Sequence, residues 1–168
     1  VDGGVDYRLR ALERIRAYHV PADAESDRLL AETFKEMAGG GGNARAIEIL
    51  GREIAVRKRT MGVIWFDFDE LCGGPRSQND YLELARNYHT VLLSHVRRMG
   101  IEQAAEARRF TWLVDVLYDH GVKLIVTAEC EPDGLYRAGP NAHEFPRTVS
   151  RLIEMRTREY LALPHRAD

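Results

Sequence analysis

Acidic side chains at the end of an apolar run are the first residues of this 168-residue sequence that could do chemistry. The segment from Val63 to Phe68 has the aromatic and β-branched composition of a β-strand, and Asp67, Asp69 and Glu70 lie at its end. Acids in this place hold magnesium in nucleotide hydrolases, where the metal serves bound phosphates. The phosphate-binding motif GxxxxGK[ST] does not occur in the sequence, so we predict a polar strand end. An enzyme that uses these acids with a metal is the alternative.

The glycine run from Gly39 to Gly42 could be mistaken for a phosphate-binding loop, but the surrounding sequence differs from such a loop. In a P-loop the glycines lie between a strand and a helix, and a Gly-Lys-Ser/Thr sequence meets the phosphates. Here the glycines follow a predicted helix, and Asn43 to Ala46 contain no lysine. We therefore predict a flexible connector.

Arginines near predicted helix ends are the second group that could bind an anion. A cation at a helix N-terminus interacts unfavourably with the helix dipole. Arginines in this position therefore favour a contact with an anionic partner. The alternative is pairing with local acids, since Glu106 and Glu144 each lie three residues before an arginine. The candidate trans-acting or interface arginines are Arg76, Arg108, Arg109, Arg147 and Arg151.

The histidines and cysteines lack the spacing of a metal site or a nucleophile. The 6 histidines form no HExxH motif, and the 2 cysteines, Cys72 and Cys130, lie far apart and outside any CxxC motif. We predict no metal site and no disulfide framework, and a reducing compartment is the default for such a chain.

Composition and charge restrict the class of protein. The chain has 24 Lys and Arg against 26 Asp and Glu, with a net charge of −2 and 45% hydrophobic residues. A near-zero net charge gives no support for nucleic acid as a partner. No apolar run approaches the roughly 18 residues of a membrane span, so we predict a globular protein without a transmembrane segment.

The pattern of elements predicts an α/β fold with a division at residue 62. In residues 1–62 we expect a strand over Val5 to Leu9, a helix over Asp23 to Ala38, and a short antiparallel strand meander that ends with the strand starting at Val63. Residues 63–168 alternate strand and helix, which is typical of a small mixed, largely parallel sheet with covering helices. The clearest helix is predicted over Glu102 to His120, and the last one begins near Pro146.

Several sequence blocks resemble one family in their order and spacing. The blocks are Asp69–Cys72, Arg76–Leu82, Ala107–Phe110, Leu113–Asp119, Gly121–Leu124 and Glu144–Met155. Together they resemble the C-terminal half of the AFG-type AAA ATPases, which include ZapE-like cell-division proteins and mitochondrial lactation-elevated-type proteins. The opening residues 1–8 resemble the point just past the ATPase core of that family.

The resemblance implies an ATPase that couples ATP hydrolysis to work on protein partners. For the bacterial members it implies a homo-oligomer that acts on the division protein FtsZ, in the cytoplasm and near the inner membrane, with peripheral membrane association. It also implies that ATP and Mg²⁺ bind to the full-length parent and that this chain, a C-terminal fragment, holds no cofactor. The P-loop, magnesium strand and sensor strand of the family precede these residues, so no catalytic residue is carried over.

A second resemblance concerns the segment from Arg108 to Arg147. Its predicted order of helix, buried strand, loop and Arg-bearing helix resembles the sensor-strand portion of an AAA module, with Thr127 in the place of the sensor residue. Arg108, Arg109 or Arg147 would then reach the nucleotide of a neighbouring subunit. We expect this chain to give packing, subunit or partner contacts. A stand-alone interaction module is the alternative.

Overall fold

A computed structural model of the protein describes residues 16–168. The strand predicted over Val5 to Leu9 lies outside these residues. The β-strands in the described part are β1 (Tyr18–His19), β2 (Ile47–Ile49), β3 (Arg52–Ile54), β4 (Lys58–Thr60), β5 (Val63–Asp67), β6 (Thr90–Val96) and β7 (Lys123–Ala128). Its α-helices are α1 (Ala24–Ala38), α2 (Phe68–Cys72), α3 (Gln78–Asn87), α4 (Ala104–Asp119), α5 (Phe145–Glu154) and α6 (Arg158–Leu161).

The central sheet is mixed and mostly parallel, with the strand order β1-β7-β6-β5-β4. Strands β1, β7, β6 and β5 run parallel, and β4 is antiparallel to β5 at one edge. The predicted α/β fold class is therefore confirmed. Residues 16–62 contribute β1 and β4 to the same sheet as the strands of residues 63–168.

The antiparallel strands pair differently from the single meander that the alternation predicted. Strands β2 and β3 form a separate hairpin, and β5 pairs with β4 and β6. The reason is the burial of β5, in which Ile64 and Trp65 point to opposite faces and are both buried. Such a strand is stable only inside a sheet that is covered on both sides. The short strand β4 has a polar sequence, so the pattern of hydrophobic residues does not predict it.

Helix α1 covers one face of the sheet, and α2 to α5 cover the other. Leu30 and Phe34 of α1 pack on Trp65 and Leu92. The longest helix, α4, packs on the opposite face through a buried stripe that includes Phe110, Leu113, Val114 and Leu117. No helix within residues 16–168 is long and apolar enough to cross a membrane.

The helix ends follow the local signals in the sequence, with one exception. Asp23 caps α1, Gly39 ends it in the left-handed conformation at φ 68°, and Ser77 forms a capping box with Asp80. The last predicted helix is divided in the structure, because α5 ends at Glu154 and Thr157 caps the separate helix α6.

Candidate functional site at the carboxyl edge of the sheet

A row of polar side chains crosses the carboxyl edge of the sheet, where open α/β sheets bind ligands. Asp67 at the end of β5 is in register with Ser94 of β6, and Thr127 of β7 is in register with His19 of β1. Asp67, Ser94 and Thr127 each lie two residues after a strand residue that packs under α1, so their side chains lie on the face that α1 covers. The fold thus brings together polar groups from four parallel strands.

Arg57 closes this edge from the loop before β4. Its guanidinium donates to both carboxylate oxygens of Asp27, at 2.5 and 2.9 Å, and to the Ser94 hydroxyl at 3.1 Å. It also lies 3.7 Å from Asp67 and stacks on the Trp65 ring at 4.4 Å. The hydrogen bonds from Arg57 lower the pKa of the Asp27 carboxyl. The carboxyl edge is therefore filled by an ion pair of the protein's own side chains.

His95 lies beside this ion pair with a left-handed backbone, at φ 64°. The pairing register shifts between Leu93 and Val96, and the backbone N–H of His95 donates to the Thr127 hydroxyl at 2.8 Å. The imidazole Nδ1 lies 3.4 Å from an oxygen of Asp67. Thr127, the candidate sensor residue, is buried and positions the His95 backbone. Left-handed non-glycine residues are uncommon and cluster at functional sites.

His19 occupies the outer end of the polar row. Its side chain is buried, and its Nε2 atom has no hydrogen-bond partner in the described part of the chain. Burial and the charge of Arg16 lower the pKa of this imidazole, which favours the neutral form.

The turn between β1 and α1 carries carboxylates. A phosphate bound at the N-terminus of α1 would instead need free backbone N–H groups. Asp23 accepts from the Ser26 backbone at 2.9 Å, and Glu25 and Asp27 lie in the first turn of α1. Negative side chains at this helix N-terminus would repel a phosphate. The run from Gly39 to Gly42 follows α1 at its other end, as predicted.

The three acids near the end of β5 do not converge on one point. Asp67 faces Arg57 and His95, whereas Asp69 lies on helix α2 and pairs with Arg97. Glu70 is exposed on the same helix. No group of three or more metal-ligating side chains lies together in residues 16–168.

Arg76 and Arg109 stabilise the end of helix α2. Arg76 donates to the Glu70 carbonyl at 2.7 Å, and Arg109 donates to the Cys72 carbonyl at 2.6 Å and to Glu106 at 3.2 Å. The contact of Arg109 with Glu106 is the pairing with a local acid that is the alternative to a contact with an anionic partner. Burial raises the pKa of the Cys72 thiol to about 12, so this thiol is not a nucleophile near neutral pH.

Arg151 is also engaged within the fold. Its guanidinium donates to Asp115 at 2.5 Å and lies 4.7 Å from the centre of the Tyr118 ring. Only 17% of the side chain is exposed. This ion pair joins α5 to α4.

Arg108 and Arg147 differ from the other candidate arginines because both are exposed. Arg108 lies over the Trp112 ring at 5.9 Å. Neither guanidinium forms a hydrogen bond or ion pair with a residue in the range 16–168. The local pairing of Arg147 with Glu144 is absent from this range, where Glu144 instead lies 3.8 Å from His143.

Sequence reasoning missed Arg57 and His95 at the carboxyl edge. The partner of Arg57 lies 30 residues away on another element, and no local pattern signals such a pair. The left-handed backbone of His95 depends on the register shift between β6 and β7. The position of His95 at the end of an apolar strand was the only available signal.

The sequence matches the AFG1-like ATPase family over residues 1–164. It is 40% identical over 171 residues to the cell division protein ZapE of Escherichia coli K12, covering 99% of this chain and 45% of that protein. It is 29% identical over 197 residues to the lactation elevated protein 1 homolog B of Danio rerio, covering 95% of this chain and 39% of that protein.

A third relative is the uncharacterized protein C115.02c of Schizosaccharomyces pombe, 34% identical over 144 residues, which cover 84% of this chain and 32% of that protein. The chain thus spans less than half the length of these curated relatives. No solved structure matches it significantly. The match over almost the whole chain confirms the resemblance found in the sequence blocks, and the chain belongs to the AFG1-like ATPase family.

Proposed function

We propose that the whole protein couples ATP hydrolysis to action on protein partners and that this chain supplies packing, subunit and partner contacts. Membership of an ATPase family supports the first part. The second part is supported by the absence of GxxxxGK[ST] from the sequence and by the Arg57–Asp27 ion pair at the carboxyl edge. ATP and Mg²⁺ would then bind to polypeptide outside this chain.

The observation that carries this proposal is the contrast among the five candidate arginines. Arg76, Arg109 and Arg151 bind groups of the fold, whereas Arg108 and Arg147 are exposed and form no ion pair within residues 16–168. In a homo-oligomer, exposed arginines can stabilise the charge that develops on the nucleotide of a neighbouring subunit. We assign this role in trans to Arg108 and Arg147, and a positioning role to Thr127 through His95.

The family also supports a partner and a location. The relative from E. coli is named a cell division protein. We propose that the protein acts on the division protein FtsZ, in the bacterial cytoplasm near the inner membrane, with peripheral membrane association. Co-sedimentation of the intact protein with FtsZ polymers tests this part, and equal sedimentation with and without FtsZ would contradict it.

Alanine substitution of the exposed arginines in the intact protein tests the role in trans. We expect Arg108→Ala or Arg147→Ala to lower the ATP turnover number by tenfold or more, since arginines acting in trans contribute about 10³-fold or more. Arg166→Ala is the matched control, because Arg166 is an exposed arginine at the far end of the chain. Unchanged turnover and unchanged oligomer size in both variants would overturn the assignment.

A further inference from the structure

Trp112 follows Arg108 by four residues on helix α4, so the two side chains lie on the same face of the helix. The guanidinium carbon of Arg108 lies 5.9 Å from the centre of the Trp112 ring. A cation within about 6 Å of an indole ring is attracted by the negative face of the ring. Arg108 is therefore in contact with an aromatic face.

The Trp112 ring is itself held in place by the core. Trp112 is partly buried and packs against the core cluster that contains Phe110 and Leu113. An indole side chain has only two rotatable bonds, so contacts on one side fix the ring at a low cost in entropy. The exposed Arg108 side chain has much more rotamer freedom to lose. The ring thus offers a rigid platform to a flexible side chain.

The helix surface around Arg108 provides an aromatic partner and no acid. The neighbours of a helical residue lie three and four positions away. For Arg108 these positions hold Ala104, Ala105, Thr111 and Trp112. The next residue, Arg109, has Glu106 three positions before it and donates to that carboxylate at 3.2 Å. A shift of one residue along α4 therefore replaces an ion pair with a contact to a ring.

Arg108 differs from the other arginines that lie over an aromatic ring in residues 16–168. Each of the other three also pairs with a carboxylate, at 2.5 to 3.3 Å. They are Arg57 over Trp65 with Asp27, Arg151 over Tyr118 with Asp115, and Arg156 over Tyr18 with Glu131. In these three contacts the ring supports an ion pair, whereas the Trp112 ring acts without an acid.

An acid and a ring leave an arginine in different states. A carboxylate neutralises the charge of the guanidinium and occupies its N–H groups. An indole contacts the flat side of the guanidinium and leaves the N–H groups at the edge free for phosphate oxygens. An arginine that stabilises charge on a neighbouring nucleotide needs both its charge and its donors. The contact with Trp112 preserves both.

The surroundings leave the guanidinium accessible. Arg108 and Trp112 line a cleft of about 270 Å³ between α4 and the segment before α5. Within residues 16–168, Glu144 also lines this cleft, but it lies 3.8 Å from His143 and forms no ion pair with Arg108. Arg108 is therefore oriented by the ring and open to solvent.

We propose that Trp112 is a positioning residue for Arg108 in ATP hydrolysis. The ring holds the guanidinium in the orientation in which Arg108 reaches the nucleotide of a neighbouring subunit, so less rotamer entropy is lost at the moment of reaction. This assignment rests on the proposed role of Arg108 in trans. Arg147 has no ring contact among the described residues, so the positioning role of Trp112 is confined to Arg108.

A double-mutant cycle on the ATP turnover number, kcat, of the intact protein tests the assignment. Trp112→Leu should lower kcat about two- to fivefold, the factor that an exposed cation–π contact contributes. The KM for ATP should stay unchanged, because the contact acts on the transition state. In the Arg108→Ala background, Trp112→Leu should have no further effect on kcat. Trp112→Phe keeps an aromatic face and should retain most of the wild-type kcat.

Two controls separate positioning from packing. In the Arg147→Ala background, Trp112→Leu should lower kcat by the same factor as in the wild type. Tyr118→Leu is the matched control for the loss of a ring beside an arginine, because Arg151 keeps Asp115 as its partner. It should leave kcat unchanged. Thermal unfolding of each variant shows that it is folded.

An equal loss of kcat from Trp112→Leu in the wild-type and Arg108→Ala backgrounds would overturn the positioning role, because the ring would then act through packing. A wild-type kcat in the folded Trp112→Leu protein, or a Trp112→Phe protein as slow as Trp112→Leu, would also overturn it. These results would leave the role of Arg108 in trans intact. A wild-type kcat in Arg108→Ala would overturn both assignments.

Discussion

Arginines occur both at the carboxyl edge of the sheet and on the α4–α5 surface, the exposed side of helices α4 and α5 that carries Arg108 and Arg147. The contacts of the arginines differ between these two regions. At the carboxyl edge, Arg57 binds Asp27 and Ser94 and stacks on Trp65. On the α4–α5 surface, Arg108 lies over Trp112 with no acid partner within residues 16–168. The first arrangement stabilises the fold, and the second leaves a cation available to another molecule.

The same contrast occurs between two adjacent residues. Only 17% of the Arg109 side chain is exposed, whereas Arg108, the preceding residue of the helix, is exposed. Consecutive helical residues point about 100° apart, so one reaches the core side and the other the surface. Sequence proximity therefore does not imply a shared role.

The largest expected effect is the loss of the ion pair at the carboxyl edge. Arg57→Ala should lower the free energy of unfolding by about 2–3 kcal/mol, because it leaves Asp27 and Asp67 half-buried without a cation. Urea unfolding measures this change. Arg147→Ala, the control from the other surface, should change stability by less than about 0.5 kcal/mol. Equal losses in the two variants would remove the contrast.

A second prediction uses the adjacent pair. Arg109→Ala should cost about 1–2 kcal/mol of unfolding free energy, because the Cys72 carbonyl and Glu106 lose a charged partner. Arg108→Ala should cost less than about 0.5 kcal/mol. If the two thermal transitions shifted by the same amount, Arg108 would have a structural role.

A third prediction concerns the support of His95 by Thr127. Thr127→Val keeps the side-chain shape but removes the acceptor of the His95 N–H, which should cost about 1 kcal/mol of unfolding free energy. His95→Gly should be neutral or stabilising in the wild-type background, because glycine accepts a positive φ. Chemical denaturation of both variants checks this, and a destabilised His95→Gly protein would show that the imidazole contact with Asp67 matters more than the backbone.

The smallest effect is expected in the pH dependence of stability. The pKa of Asp27 is lowered in the folded protein, so its contribution is present above the ordinary Asp pKa of about 4 and is lost as pH falls through the folded value. The stability difference between the wild type and Arg57→Ala should therefore shrink below about pH 4. A constant difference from pH 6 to pH 3 would contradict the assigned cause.

Features set by neighbouring residues could be predicted from the sequence. The caps at Asp23 and Ser77 depend on groups three residues apart, so the local sequence specifies them. The parallel sheet follows from the alternation of apolar strands with helices after residue 62. The burial of β7 on both faces was visible in its continuous apolar sequence.

Features set by distant residues could not be predicted. Arg151 binds Asp115 and Arg57 binds Asp27, across 36 and 30 residues respectively. The sequence offered five equivalent arginines, and only the packing of α2, α4 and α5 shows which of them are engaged. The cleft lined by Trp112 and Phe145 likewise depends on how the segment before α5 folds against α4.

Calorimetric titration of Mg²⁺–ATP into the 168-residue chain and into the intact protein tests the central claim most directly. A cooperative thermal transition first shows that the chain is folded. The account predicts saturable binding and turnover by the intact protein and neither by the chain, whose carboxyl edge is filled by Arg57 and Asp27. Saturable Mg²⁺-dependent binding and hydrolysis of ATP by the chain itself would contradict it.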